Sequence, residues 1–230
     1  MGNGNNENYL IRMFHVYRRY GNKTALFDIN LDVRKNEFIY VTGPSGAGKT
    51  TLLKLLYLGE PMSEGQIIVD GVNLARIAKN KMPLLRRKFG IIFQEFKLIP
   101  TKTVFENIAL VLEAAGKQNR FIQKKVGSML RAVGMEDRQN SFPLSLSGGE
   151  QQRVAIARAM AGDPKIILAD EPTGSLDPDS SEQVIELIKG FHARGSTIII
   201  TTHDTKLIKK TGGRMIHLKQ GRLWLPSNQR

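Results

Sequence analysis

The stretch FIYVTGPSGAGKTTLLKLLY, residues 38–57, leaves few folds open to the chain that carries it. Within it GPSGAGKTT, Gly43 to Thr51, has the pattern of a glycine, four residues and Gly-Lys-Thr. An apolar, β-branched run precedes it and an apolar run of helical spacing follows. A glycine-rich turn between a strand and a helix lets successive N–H groups point inward at phosphate oxygens, and the helix dipole adds to the attraction. In such a loop Lys49 reaches the β- and γ-phosphates and the Thr50 hydroxyl reaches Mg²⁺. Gly43, Pro44, Ser45, Gly46, Ala47, Gly48 and Thr51 complete the cradle. A chance glycine-rich turn is the alternative, and the flanking strand and helix weigh against it.

Two further apolar runs end as Phe38–Val41 does, in a polar turn: Ile166–Ala169 before DEPTGS and Ile198–Ile200 before TTHD. Continuous runs of this kind suit strands covered on both faces, hence a parallel sheet with its chemistry at the carboxyl ends. There Asp170 is placed to hold Mg²⁺ through water, and Glu171 to align and polarise an attacking water. His203 follows the third run and offers a γ-phosphate contact, although a lone histidine is more often structural. Gln94, in IIFQEF, carries an amide able to contact both Mg²⁺ and the water. Tyr20, in VYRRYGN, offers a ring face to adenine or is an ordinary strand-edge tyrosine, and spacing does not separate the two.

From Val104 to Gly162 the texture is helical, in VFENIALVLEAAG, IQKKVGSMLRAVG and EQQRVAIARAMAG. Leu10–His15, Leu26–Val33 and Gln66–Val69 alternate like antiparallel strands, as does MIHLKQGRLWL around a Gln220-Gly221 turn. The expected fold is α/β: a phosphate-loop nucleotidase core with a mainly parallel sheet, an antiparallel β subdomain and an inserted helical subdomain. One domain spans 1–230, with the insertion over about 95–162 and flexible ends at 1–8 and 226–230.

Residues 144–159, LSLSGGEQQRVAIARA, open a second phosphate-shaped helix start that has no lysine. Ser147, Gly148 and Gly149 supply a hydroxyl and unencumbered N–H groups at a helix N-terminus, which suits an anion. Ser147 with Glu150 three residues on is also a capping box, and the two roles coexist.

With 41% hydrophobic residues among 230, the chain can bury one substantial core. It has no cysteine, so disulfides and thiolate metal sites are excluded. The polar start MGNGNNENY is no signal peptide, and no apolar run nears the roughly 20 residues that span a bilayer. A cytosolic protein that meets the membrane through a partner is the expectation. Net charge is +13, which fits nucleic acid, an anionic membrane surface or a soluble basic protein with an anionic ligand. The basic pairs are dispersed and not interleaved with aromatics, so a membrane-proximal surface is expected and direct nucleic-acid contact is not.

Taken together, the phosphate loop, Gln94, LSGGE at Leu146–Glu150, ILADEP, the SLD of Ser175–Asp177 and His203 resemble the ATP-binding cassette (ABC) ATPases, in order and spacing, over nearly the whole chain. The resemblance implies ATP and Mg²⁺ as cofactors and adds Asp177 to the nucleotide-binding set. It also implies a head-to-tail homodimer in the ATP-bound state, in which the Ser147–Glu150 signature of one subunit closes over ATP on the phosphate loop of the other. GAGKTTLLKLLY, PLLRRKFGIIFQEFKLIPTKTVFENIAL and DEPTGSLDP resemble the branch that acts in bacterial cell division. That branch implies a place at the cytoplasmic face of the inner membrane, the polytopic protein FtsX as partner with other division proteins beside it, and control of cell-wall hydrolysis. In these relatives a helix of the membrane subunit docks near the segment that is here Phe93–Pro100. The lipoprotein-releasing and MacB-type exporter ATPases are similar enough to stay open as the alternative. A DNA-associated ABC ATPase needs a long coiled coil between phosphate loop and signature, and about a hundred residues leave no room for it.

Overall fold

In the computed structural model the described residues are 8–204, 208 and 212–224. The expected flexible ends lie outside them apart from Asn8, whose carbonyl accepts the Lys35 N–H at 3.1 Å. The chain divides into two compact units, Met1–Arg86 with Thr197–Arg230, and Arg87–Ser196.

In the first unit, period-two alternation produces a four-stranded antiparallel sheet from β1 (Tyr9–Tyr20), β2 (Lys23–Arg34), β4 (Glu64–Val69) and β5 (Val72–Asn73), in the order β2-β1-β4-β5. Ile11 pairs with Val33 on one side and Val69 on the other, and Met13 with Leu31 and Ile67, all of them buried. The intervening Arg12 and Asp32 point to the opposite face and form an ion pair at 3.5 Å.

The second sheet of this unit is built on β3 (Phe38–Thr42), whose five residues are all buried. β3 lies parallel between β8 (Thr197–Thr201) and β9 (Arg214–Lys219), and β10 (Arg222–Trp224) closes an antiparallel hairpin on β9. The Gln220-Gly221 hairpin therefore extends the parallel sheet rather than the antiparallel one. Alternation marks a strand but carries no information on which sheet receives it. α1 (Lys49–Leu56) follows the phosphate loop and buries Leu52, Leu53, Leu55 and Leu56.

The second unit is wider than the expected helical insertion, because it also holds two strands and one more helix. β6 (Phe89–Ile92) and β7 (Ile166–Asp170) pair in parallel with Ile92 opposite Ala169. Around them stand α3 (Val104–Ala114), α4 (Asn119–Ala132), α5 (Gly148–Met160) and α6 (Pro178–His192). α5 contacts all three other helices and β6, and its Val154, Ala155, Ile156, Ala157 and Met160 are buried. Capping boxes start α3 at Thr103 with Glu106, and α5 at Ser147 with Glu150.

Candidate active site

In the first unit the phosphate loop leaves β3 and turns into α1. Gly43 has φ 148°, and a Cβ there would stand 2.0 Å from the Leu218 carbonyl oxygen on β9, so only glycine lets the loop pass the strand. The β9–β10 turn also binds the loop, because the Gly221 N–H donates to the Ala47 carbonyl at 3.1 Å. Pro44, Ser45 and Gly46 are exposed at the tip, and so is Thr50. Lys49 is 7% exposed, and its Nζ donates to the carbonyls of Gly43 at 2.9 Å and Pro44 at 3.3 Å. The ammonium is thus held inside the curve of the loop. α1 begins at Gly48 with no side-chain cap and no acid in its first turn, so nothing competes with an anion for its leading N–H groups.

β8 runs parallel to β3 with Thr201 opposite Val41, which brings the exposed His203 to the carboxyl edge that carries the loop. Tyr20, at the end of β1, is 41% exposed, with Arg18 4.3 Å from its ring centroid and its hydroxyl donating to Glu60. Glu60 also receives Lys54 of α1 at 3.0 Å and Arg18 at 3.3 Å. This knot ties Tyr20 to the helix behind the phosphate loop.

In the second unit the parallel pairing of β6 and β7 sets Gln94, Asp170 and Glu171 at one carboxyl edge. Gln94 is exposed, and both acids are half-buried. Glu171 has φ 45°, and its carbonyl accepts the Gly174 N–H at 3.1 Å, which turns the chain away from the strand tip. Gln152 of α5, fully buried, donates to the Pro172 carbonyl at 2.7 Å and pins that turn from behind.

The helix start at Ser147 adjoins another. In the capping box the Ser147 N–H donates to Glu150 Oε2 at 2.8 Å, and the Glu150 N–H to Ser147 Oγ at 3.2 Å. The N–H groups of Gly148 and Gly149 stay outside the box. The Ser147 N–H holds the Glu150 carboxyl below the usual glutamate range. An ionised carboxylate has no proton to donate, so Glu150 itself offers no hydrogen bond to an anion; what it does here is cap the helix start. A Cβ on Gly149 would stand 2.6 Å from Ser180 Oγ, on the first turn of α6. α6 is capped by Asp177, whose Oδ1 accepts the Ser180 N–H at 2.9 Å; the Ser180 hydroxyl first, and then this N–H, hold the Asp177 carboxyl below its usual range. Signature and SLD helix starts are thus packed together.

Sequence reasoning overlooked Arg158 of α5, Gln152 and Glu60. Arg158 donates to the carbonyls of Lys97 at 2.6 Å and Phe96 at 2.8 Å, two adjacent residues with φ of 51° and 55°. None of the three carries a local signal, since apart from the Lys54–Glu60 contact, six positions apart, each acts on residues 20 to 62 positions away.

Among the described residues no three His, Asp or Glu side chains gather into a metal cluster. The donors expected for Mg²⁺, the Thr50 hydroxyl, the Gln94 amide oxygen and the Asp170 carboxylate, are all hard oxygens. They suit an ion that takes its remaining ligands from phosphates and water. No helix among the described residues is long and apolar enough to cross a membrane.

Residues 26–174 match the ABC transporter family model. The cell division ATP-binding protein FtsE of Streptococcus pneumoniae is 44% identical over 215 residues, 93% of this chain and 94% of that protein. The methionine import ATP-binding protein MetN of Photobacterium profundum is 43% identical over 200 residues, 86% of this chain and 58% of its own length. Among solved structures, the dimeric post-hydrolysis state of the ATP-binding cassette MJ0796 bound to ADP and Pi superposes with a TM-score of 0.86. It is 34% identical and covers 96% of this chain and 99% of that one. Motifs, fold and relatives agree that the chain belongs to the ABC transporter family and is an ATPase.

Proposed function

We propose that this ABC ATPase drives a step of bacterial cell division as the cytoplasmic subunit of an FtsE–FtsX type complex, in which ATP-driven dimer closure moves a polytopic membrane partner that controls cell-wall hydrolysis. The observation that carries the reading is the match in length. The alignment with FtsE runs over 93% of this chain and 94% of that protein, whereas MetN is covered over only 58% of its length.

In this reading the loop N–H groups from Gly43 to Thr51 and the uncapped start of α1 bind the phosphates, and Lys49 turns from the loop carbonyls to the β- and γ-oxygens. Tyr20 lays one ring face on adenine. Thr50, Asp170 and Gln94 would hold Mg²⁺, which when bound neutralises charge on the β- and γ-oxygens. Glu171 orients a water whose oxygen attacks the γ-phosphorus as the bond to the bridging oxygen breaks, giving ADP and phosphate, and His203 contacts the γ-phosphate. Ser147, Gly148 and Gly149 of a second copy complete the anion site, with Asp177 beside them. Loss of the γ-phosphate removes the charge that joins the two copies, and the dimer opens. Residues 95–162 act as the helical subdomain, with Phe93–Pro100 facing the membrane partner. Other division proteins join the complex at the cytoplasmic face of the inner membrane.

The test is capture from native membranes with Glu171→Gln protein in ATP and Mg²⁺. The expected result is a closed ATP-bound homodimer that retains an FtsX-like protein. A variant that stays monomeric with ATP bound would refute the sandwich. Recovery of a lipoprotein-releasing or MacB-type permease would move the function to transport, the reading that the 43% identity to MetN keeps as second.

A further inference from the structure

We propose that the surface formed by Arg76–Arg86 contacts anionic lipid headgroups directly. Between Asp70 and Glu95 the chain carries no acidic residue and six basic ones, Arg76, Lys79, Lys81, Arg86, Arg87 and Lys88. A 3-10 turn over Lys79–Lys81 runs into the short α2 (Met82–Arg86), because the Met82 N–H donates to the Lys79 carbonyl. Leu85 at 2% exposure and Leu74 at 4% root this segment in the first unit. Arg86 fastens it further by donating to the carbonyls of Leu58 at 2.8 Å and Tyr57 at 3.3 Å.

The opposite side is what a membrane surface needs. Arg76, Lys79 and Lys81 are exposed, and their side chains make no hydrogen bond or ion pair with any described residue. Leu84 is 57% exposed and lies three residues beyond Lys81, hence on the same helical face. A solvated face kept only for solubility mixes charges of both signs and hides its leucines. Cations around an outward apolar side chain match an anionic interface, where the charges meet headgroups and the leucine enters the acyl boundary. Nucleic acid fits less well, because residues 71–88 contain no aromatic side chain on which a base could stack. The inference deepens the membrane-associated reading by adding a contact made without the partner protein.

The experiment is flotation of the purified full chain with vesicles of phosphatidylcholine alone and of phosphatidylcholine mixed equally with phosphatidylglycerol, at rising salt. Wild type should float only with the anionic vesicles and be released by salt. The triple variant Arg76→Ser, Lys79→Ser, Lys81→Ser should lose affinity on the order of a hundredfold while its basal ATPase rate stays unchanged. Leu84→Ser should weaken binding roughly tenfold without altering the salt dependence. The proposal is overturned if wild type ignores anionic vesicles, if the triple variant floats as well as wild type, or if the three substitutions abolish binding of a short RNA while leaving flotation intact. These vesicles contain no membrane protein, so failure here leaves the FtsX reading standing, and failure of the capture experiment leaves this contact standing.

Discussion

Arg158 should be a stability determinant out of proportion to its place on the side of a helix. Its guanidinium divides between the carbonyls of Phe96 and Lys97, at 2.8 and 2.6 Å. Both residues are in the left-handed region, at 55° and 51°, where a side chain other than glycine's costs about 1–2 kcal/mol each. The arginine is half-buried, and that burial pushes its pKa down, so the two bonds also offset a desolvation cost. Hydrogen bonds to a charged group contribute about 1.5–3 kcal/mol apiece. Phe96 is half-buried and Lys97 exposed, so water replaces part of the loss and the lower end applies. Arg158→Ala is therefore expected to cost about 3 kcal/mol. A lysine lacks the planar fork, so Arg158→Lys should recover only about half. The urea midpoint should fall at an unchanged slope, and amide exchange should quicken over residues 93–99. Lys97→Gly, which releases the left-handed cost, should stabilise the Arg158→Ala background by about 1 kcal/mol. A loss under about 1 kcal/mol for Arg158→Ala would refute the reasoning. The arginine links the helix opened by the signature to the segment that follows Gln94.

Two glycines should differ for a geometric reason. Gly43→Ala drives a Cβ to 2.0 Å from the Leu218 backbone oxygen and should cost about 3 kcal/mol. Gly149→Ala meets the end of the Ser180 side chain, which can rotate, and should cost about 1 kcal/mol. Thermal unfolding of both variants decides the order, and equal losses would contradict it. The capping-box carboxyls of Glu106 and Glu150 are held low by the N–H groups of Thr103 and Ser147. A depressed folded pKa gives stabilisation that is present above the unfolded value of about 4.3 and lost as pH falls through the folded one. Replacing both by glutamine should flatten the urea midpoint across that acidic window, and a slope as steep as wild type's would count against it.

The sequence by itself determined what rests on neighbours. The phosphate loop with its strand and helix, the three buried runs, and the boxes at Thr103 and Ser147 each follow from spacings of a few residues. The order of the motifs was likewise enough for the family. Tertiary structure decided what depends on distant chain. The alternation of residues 214–224 announced a hairpin, yet its seat beside β3 is a pairing of Ile39 with Arg214 that no local period encodes. Gly43 was legible as part of a pattern, but the reason that it must be glycine is a carbonyl at Leu218. The helix from Pro178 to His192 is absent from the elements read in the sequence, and Glu60 gave no sign that it gathers Arg18, Tyr20 and Lys54. Local propensity selects the elements and their caps. Which elements meet is set by burying their apolar faces together, and the polar partners that tie the site follow from that packing.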